Sequence, residues 1–503
     1  MEVNLLSVLS TSVVLVFITV FLLCYLYLGR RSNLPPGPPG LPLIGNLIWF
    51  NRLKNRKLKQ YQGFYEASKT YGDIVSVTVF GQRFVALHGY DTIRDAFVKH
   101  SDVLNSRPSW LRAIKEAIKE GKGVIWQSGE PWKVLRKFVL QTLRDFGVGK
   151  TSLEEKIMHE VDAANEVLNA SEGKPFDVRL LTSMMITNVI YGIVFAKRFD
   201  YKDEKLHEII ENLDRIFRIG GGLLTADGLL PSFILKIFNR EAYEIRLKRL
   251  ETIRWIKEHI YSEINNHEST YDNENIRDFV DLYIQAKLQR TDENTFNKGN
   301  MFRVIMDLFI AGSETTSNTV NWCILYMQEY PYIQEKCQQE ISEKCGDKVV
   351  TWADRGSLPY IEATLLEIQR LANIAPMSVP HTNEVDIELG GYFIPRRSLI
   401  VASLYSSNID PRHWDEPEIF KPERFMENGK LKKNQALIPF SIGPRICLGE
   451  SLARMEMFLI FTNLLQRFTF CREDDNVKHS FENIVEQFTS APQPYKTRAM
   501  KRV

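Results

Sequence analysis

Cysteine is scarce in this chain, with six in 503 residues and none spaced as Cys-x-x-Cys. Cys337 and Cys345 lie eight apart with no histidine cluster beside them. A disulfide framework or a closed zinc site is therefore not indicated, and the body reads as cytosolic and reduced. Net charge is nearly absent as well, at +2, which removes the basic excess expected of a nucleic-acid binder. No internal repeat, low-complexity tract or domain boundary is marked, so one large, mainly helical catalytic body is expected over residues 61–503. Long hydrophobic runs are absent with one exception. Residues 5–28, LLSVLSTSVVLVFITVFLLCYLYL, form 24 positions without a charge, enough to cross a bilayer as a helix.

A cleaved signal peptide competes with a retained anchor over residues 1–29. It is weakened by the length of the run and by the lack of a basic start, since only Glu2 precedes it. Arg30, Arg31, Arg52, Lys54, Arg56, Lys57 and Lys59 follow, and positive charge stays cytoplasmic. The sequon Asn169-Ala170-Ser171 would then stay unglycosylated. Residues 30–60 read as a hinge and basic linker, stiffened by LPPGPPG at 34–40.

Strand patterns cover Ile74–Phe80, Phe84–His88, Ile387–Leu389 and Tyr392–Ile394. Helical periodicity covers Leu153–Ala170, Leu180–Phe195, Arg240–Asn265, Asn300–Tyr330, Pro331–Cys345, Pro359–Ala372 and Leu448–Phe468. Asn265–Asn275 reads as an exposed polar loop. Leu223–Phe238 is apolar but too short to span; it is either ordinary core or a lid that dips into a membrane.

The richest stretch is PFSIGPRICLGESLAR, with Phe440, Gly443, Arg445, Cys447 and Gly449. The glycines let the backbone turn and let a flat ligand approach. A following helix N-terminus stabilises negative charge on sulfur, and a lone thiolate so placed is one way to hold haem iron. In the long helix, Ala311-Gly312-Ser313-Glu314-Thr315-Thr316 is a poor helix-interior choice. It sets a hydroxyl beside a carboxylate, as proton relay requires; the plain alternative is a surface turn of the helix. Asp307, two turns earlier, is a candidate for the same pocket. Trp132 and Arg136, four apart, are donors suited to carboxylates such as haem propionates. Glu367 and Arg370, three apart, share a helical face.

Together these motifs resemble cytochrome P450: Phe-x-x-Gly-x-Arg-x-Cys-x-Gly, (Ala/Gly)-Gly-x-(Asp/Glu)-Thr, Glu-x-x-Arg and Trp-x-x-x-Arg, in that family's order and spacing. FGVGK at 146–150 and KRFDY at 197–201 are similar to the microsomal, family-2-like animal clan, and 358–410 resembles invertebrate members. The resemblance implies a mainly α fold with small β-sheets, a helical prism enclosing haem b ligated by the Cys447 thiolate, behind an N-terminal transmembrane helix. It implies Thr315 and Glu314 as catalytic residues. Trp132, Arg136, His381, Arg445, Phe440, Gly449 and Ala311 would hold the cofactor, with Arg107 a looser match. Thr382 stands where many relatives have arginine, which removes a contact at that position. Glu367, Arg370 and Arg424 would form a structural triad. Ile114, Ile118, Val304, Leu308, Ala375, Val379 and Phe488 would line the substrate pocket. The activity implied is insertion of one oxygen atom from O2 into a small lipophilic substrate (terpenoid hormone, steroid, xenobiotic or defensive-pathway nitrile). Electrons would come from NADPH through cytochrome P450 reductase, docking on Lys133, Lys137, Arg144 and Lys150, with cytochrome b5 an optional second partner. The implied location is the endoplasmic reticulum membrane. A P450-fold isomerase or dehydratase that does not use O2, and a non-catalytic membrane-anchored haem protein, are the alternatives; the intact Glu314-Thr315 pair opposes both.

Overall fold

The proline run docks on the first sheet. The Pro36 carbonyl accepts the Ser76 N–H at 2.8 Å, and the Asn46 side chain joins the Pro38 carbonyl to the Thr78 N–H. A Cβ at Gly37 would stand 1.9 Å from the Ser76 carbonyl oxygen, so only glycine fits there. This computed structural model describes residues 13–20, 33–147, 151–219, 232–290, 292–481, 484–486 and 489–502. The chain packs as two compact units, 1–104 with 379–403, and 105–378 with 404–503.

In the first unit, residues 13–20 are helical and exposed. The remainder of the expected anchor, with Arg30 and Arg31, lies outside the described residues. Among the described residues no helix is long and apolar enough to cross a membrane. The expected linker is helical in its second half: α1 (Leu47–Asn55) buries Leu53 against Gly63 of α2 (Gln60–Tyr71). Strands β1 (Ile74–Val79) and β2 (Gln82–Leu87) form an antiparallel hairpin. Its turn sits at Phe80 and Gly81, both with positive φ, the twist a tight hairpin requires. Later come β3 (His381–Thr382), the hairpin β4 (Ile387–Leu389) and β5 (Tyr392–Ile394), and β6 (Leu399–Ala402). β6 runs parallel to β2, pairing Phe84 with Leu399, and β3 closes the far edge.

The second unit is helical. Its longer helices are α3 (Gly129–Asp145), α4 (Thr151–Ala170), α5 (Val178–Val194), α6 (Glu204–Ile219), α7 (Arg240–Thr270), α8 (Phe279–Gln289), α9 (Lys298–Glu329), α10 (Pro331–Lys344), α11 (Pro359–Ala372) and α12 (Glu450–Arg467). Helix α9, 32 residues and about 48 Å long, is buried nearly throughout and packs most extensively on α5. Asn297 caps it by accepting the Asn300 N–H. The antiparallel pair β7 (Phe468–Arg472) and β8 (Lys496–Lys501) closes the C-terminal end of the chain.

One expectation fails here. Residues 265–270 are not loop: α7 continues to Thr270 because His267 is buried, its Nδ1–H donating to the Glu263 carbonyl at 2.8 Å and its Nε2 bonded to the Asp278 carboxyl at 2.7 Å. Asp278 in turn caps α8 through the Asp281 N–H. Burial pulls the His267 pKa down, but the Asp278 hydrogen bond, the Glu263 carbonyl and the Asp278 charge together raise it. Of the expected lid, only the helix Ser232–Phe238 is described, with Phe233 and Ile237 strongly exposed; residues 223–231 lie outside.

Candidate functional site

The cysteine loop is shaped by its own backbone. Gly443 and Ser441 hold positive φ (81° and 63°), and the Cys447 N–H donates to the Phe440 carbonyl at 2.9 Å. Helix α12 begins at Glu450 with Gly449 as its cap, so Leu448 belongs to the loop, not to the helix. A Cβ at Gly449 would meet no protein atom within 4 Å. Cys447 has accessible surface, yet protein atoms crowd its sulfur, so the thiol opens on a recess. Burial pushes its pKa up. The Gly449 N–H, the Arg136 charge and the Glu450 N–H pull it down, against the Glu450 carboxylate. Phe440 lies under the Arg454 guanidinium at 4.9 Å.

Three arginines converge beside this loop. Arg136 donates to the Ile446 carbonyl at 2.6 Å. Arg445 donates to the carbonyls of Gln127 at 2.6 Å and Asn105 at 3.0 Å, and stacks 3.8 Å over the Trp132 ring. Arg107 donates to the Ile125 carbonyl at 3.1 Å. Burial, then the charges of Arg107 and Arg136, push the Arg445 pKa down to about 8. Burial and Arg136 push Arg107 to about 9. The Trp132 indole N–H is buried with no acceptor. Crowded cations and an orphan donor fit the carboxylates of a bound anion. His381 lies in the other unit, where it bonds the Leu104 carbonyl at 2.6 Å and stacks on Phe97 at 4.0 Å.

α9 regains exposure between residues 308 and 315; Ala311 is exposed, and the half-buried Leu308 and Thr315 share its stripe at i, i+3 and i+7. Thr315 donates its hydroxyl to the Ala311 carbonyl at 2.6 Å. Its motif neighbours face elsewhere. A Cβ at Gly312 would come 2.8 Å from Ile190 of α5, so this glycine serves helix packing rather than ligand approach. Thr316 is buried against Glu456 of α12, whose carboxyl burial pushes up to about 8. The Glu314 carboxyl accepts from Asn318 at 2.8 Å and Thr489 at 3.5 Å, and burial pushes its pKa up to about 7.

Asp307 does not join Glu314. It accepts the N–H groups of Val124 and Ile125 at 2.9 and 3.0 Å and pairs with Arg303 at 3.0 Å. The loop it clamps presents the Val124, Ile125 and Gln127 carbonyls to Arg445 and Arg107. A Cβ at Gly123 would stand 2.3 Å from the Asp307 carboxylate. The i,i+4 spacing of Arg303 and Asp307 was the available sequence signal. Asp307→Ala leaves Arg303 with only the Ala117 carbonyl and two N–H groups without their acceptor, an expected loss of about 3–5 kcal/mol. Asp307→Asn keeps an acceptor and should lose about 1–2 kcal/mol. Thermal unfolding of both variants checks the order.

Glu367, Arg370 and Arg424 do meet. Glu367 and Arg370 are fully buried and paired at 2.7 and 2.8 Å, and Arg424 reaches Glu367 at 2.9 Å. On α3, Lys133, Lys137 and Arg144 are exposed opposite the buried Trp132, Leu135 and Val139; Lys150 lies outside the described residues. Ile118 and Ala375 are half-buried, whereas Ile114 and Val304 are packed in the core and present almost no surface. Val379 is half-buried in the other unit, and Phe488 lies outside the described residues.

The sequence profile of the family described as Cytochrome P450 matches residues 35–499. The chain belongs to the cytochrome P450 family. It is 37% identical over 443 residues to cytochrome P450 2B19 of Mus musculus, covering 87% of this chain and 88% of that one. It is 36% identical over 456 residues to cytochrome P450 2J1 of Oryctolagus cuniculus (90% and 88%), and 35% over 467 to cytochrome P450 2J2 of Homo sapiens (92% and 91%). As a P450 the chain is a haem-thiolate monooxygenase. The recess at Cys447, the open space at Gly449 and the anion-seeking arginine cluster fit haem and its propionates.

Proposed function

We propose that this P450 is anchored in the endoplasmic reticulum membrane by residues 1–29, with its catalytic body cytosolic, and hydroxylates or epoxidises a small lipophilic molecule. Its electrons come from NADPH through cytochrome P450 reductase, with cytochrome b5 as an optional donor. The observation that carries this reading is that the same helical unit holds both an accessible Cys447 thiol and, on α9, Thr315 on a stripe that recovers exposure next to the half-buried, protonatable Glu314.

Haem, when bound, supplies the activation of O2. Trp132, Arg136, Arg445 and Arg107 would hold its propionates. Thr315, while donating to the Ala311 carbonyl, keeps lone pairs to orient a proton donor above the stripe. Glu314 is the acid: raised to about 7, it exchanges a proton readily at neutral pH. Leu308, Ala311, Ile118 and Ala375 offer apolar surface suited to a membrane-partitioned substrate. Lys133, Lys137 and Arg144 steer an acidic flavoprotein.

Reconstitution with reductase, NADPH and a panel of terpenoids, steroids and aromatic ethers tests the reading. The expected result is NADPH-dependent product carrying one atom from isotopically labelled O2. Product without that label would sink it. Because protonated Glu314 is required, turnover should fall as pH rises through about 7. Glu314→Gln should lower product formation by about 10²-fold and remove that pH limb.

A further inference from the structure

The structure assigns Asp214 of α6 as the group that reloads Glu314 with protons, through a water held between α5, α6 and α9. This rests on the monooxygenase reading above. A cavity of about 20 Å³ lies there, lined by Ser183, Thr187, Asp214, Ser313, Glu314 and Ser317. That is room for about one water, and its walls carry enough polar groups to hold it. The Ser313 hydroxyl lines this cavity, is buried, and has no partner in the protein, so a water there satisfies it.

The two ends of the cavity differ. Glu314 is on α9, beside Thr315, and is held by Asn318 and Thr489. Asp214 is ion-paired with Arg179 of α5, and both side chains reach solvent, 20% and 27% exposed. Asp214 therefore touches bulk water on one side and the cavity on the other. The charged groups facing Glu314 are Asp214 and Arg179, and Glu211 acts in turn on Asp214. Burial raises the pKa of Asp214 above the usual carboxylate value, against the pull of Arg179, which makes its carboxylate a better proton acceptor from solvent.

The transfers balance as follows. One turnover consumes O2, two electrons and two protons, and returns one oxygen in product and one in water. Each proton leaves the Glu314 carboxyl by rotation of that side chain toward Thr315. The carboxylate left behind takes a proton from the cavity water, which takes one from Asp214, which takes one from solvent.

Infrared pH titration of the purified holoprotein reads the coupling without turnover. The protonated-carboxyl band that vanishes in Glu314→Gln belongs to Glu314. In Asp214→Asn its midpoint should move to lower pH, because a neighbouring negative charge is gone. An unmoved midpoint would overturn the proposal. The second readout uses reductase, NADPH and 7-ethoxycoumarin as probe. Asp214→Asn should lower product per NADPH at least about threefold, with the electrons appearing as hydrogen peroxide, and Asp214→Glu should restore the ratio. Oxidation of the probe driven by added hydrogen peroxide, which arrives already protonated, should fall much less than the NADPH-driven reaction. Equal loss in both would show a merely structural role and overturn the relay. Absence of NADPH-driven product in the unmodified protein would instead count against the monooxygenase reading, and the infrared midpoint still decides the relay.

Discussion

Cys447→Ala protein, reduced and exposed to carbon monoxide, is expected to show no strongly red-shifted Soret band and no NADPH-dependent product. Two of the other described cysteines are shut away from any such role. Cys323 and Cys337 are buried, and burial pushes their thiols far above the usual range, Cys337 to about 12. Cys447 differs in its surroundings. Its sulfur is crowded, which opposes charge. Yet the Gly449 and Glu450 N–H groups point at it, and the Arg136 charge favours the thiolate. The protein without haem therefore holds a thiol, and coordination drives the proton off. A proton should be released on haem uptake by the unmodified apoprotein and not by Cys447→Ala. Cys447→His should move the band to the position of a histidine-ligated haem, and an unshifted band would refute the ligand assignment.

Arg370→Leu is expected to prevent accumulation of folded, haem-loaded protein. Arg370 is fully buried, and its guanidinium bonds Glu367 and the carbonyls of Asn408, Pro417 and Ile419. Removing it leaves the buried Glu367 carboxylate with Arg424 and the Lys421 N–H alone, and takes the guanidinium away from the Asn408 and Pro417 carbonyls, while Ile419 keeps Arg424. Losing one partner of a buried pair costs about 3–5 kcal/mol, against a total stability of about 5–15 kcal/mol. The damage is directional. Ser407 bonds the Ala436 carbonyl, and Asn408 accepts from Ile438, so slack in residues 408–421 reaches the segment that leads into the cysteine loop. Haem content per protein and the thermal midpoint check this. Arg370→Lys, which keeps charge but loses the fork, should rescue only part. A variant with normal haem content and midpoint would show the triad to be dispensable.

The sequence by itself determined the parts that depend on local order. Helix bounds at Pro359–Ala372 and Pro331–Lys344 follow from proline at the first helical position and from 3.6-residue periodicity, and the structure places them within a residue. The cysteine loop, the Trp132–Arg136 pair and the Glu367–Arg370 pair were legible because their partners lie within four residues, or within a loop whose turns glycine marks. The family itself was legible for the same reason. Tertiary structure decided the rest. The parallel pairing of β2 with β6 joins residues more than three hundred apart, and no local pattern announces it. Which side of α9 a residue faces depends on what packs there. Gly312 meets Ile190, Thr316 meets Glu456, and Asp307 meets the backbone at 124–125, although all three share one stretch of helix with Thr315. His267 extends α7 only because Asp278 closes over it. Asp214 carries no motif; only the packing of α6 against α5 and α9 brings its carboxyl to the cavity beside Glu314. Periodicity states that a helix has a buried face, whereas the chemistry of that face is set by side chains arriving from distant segments.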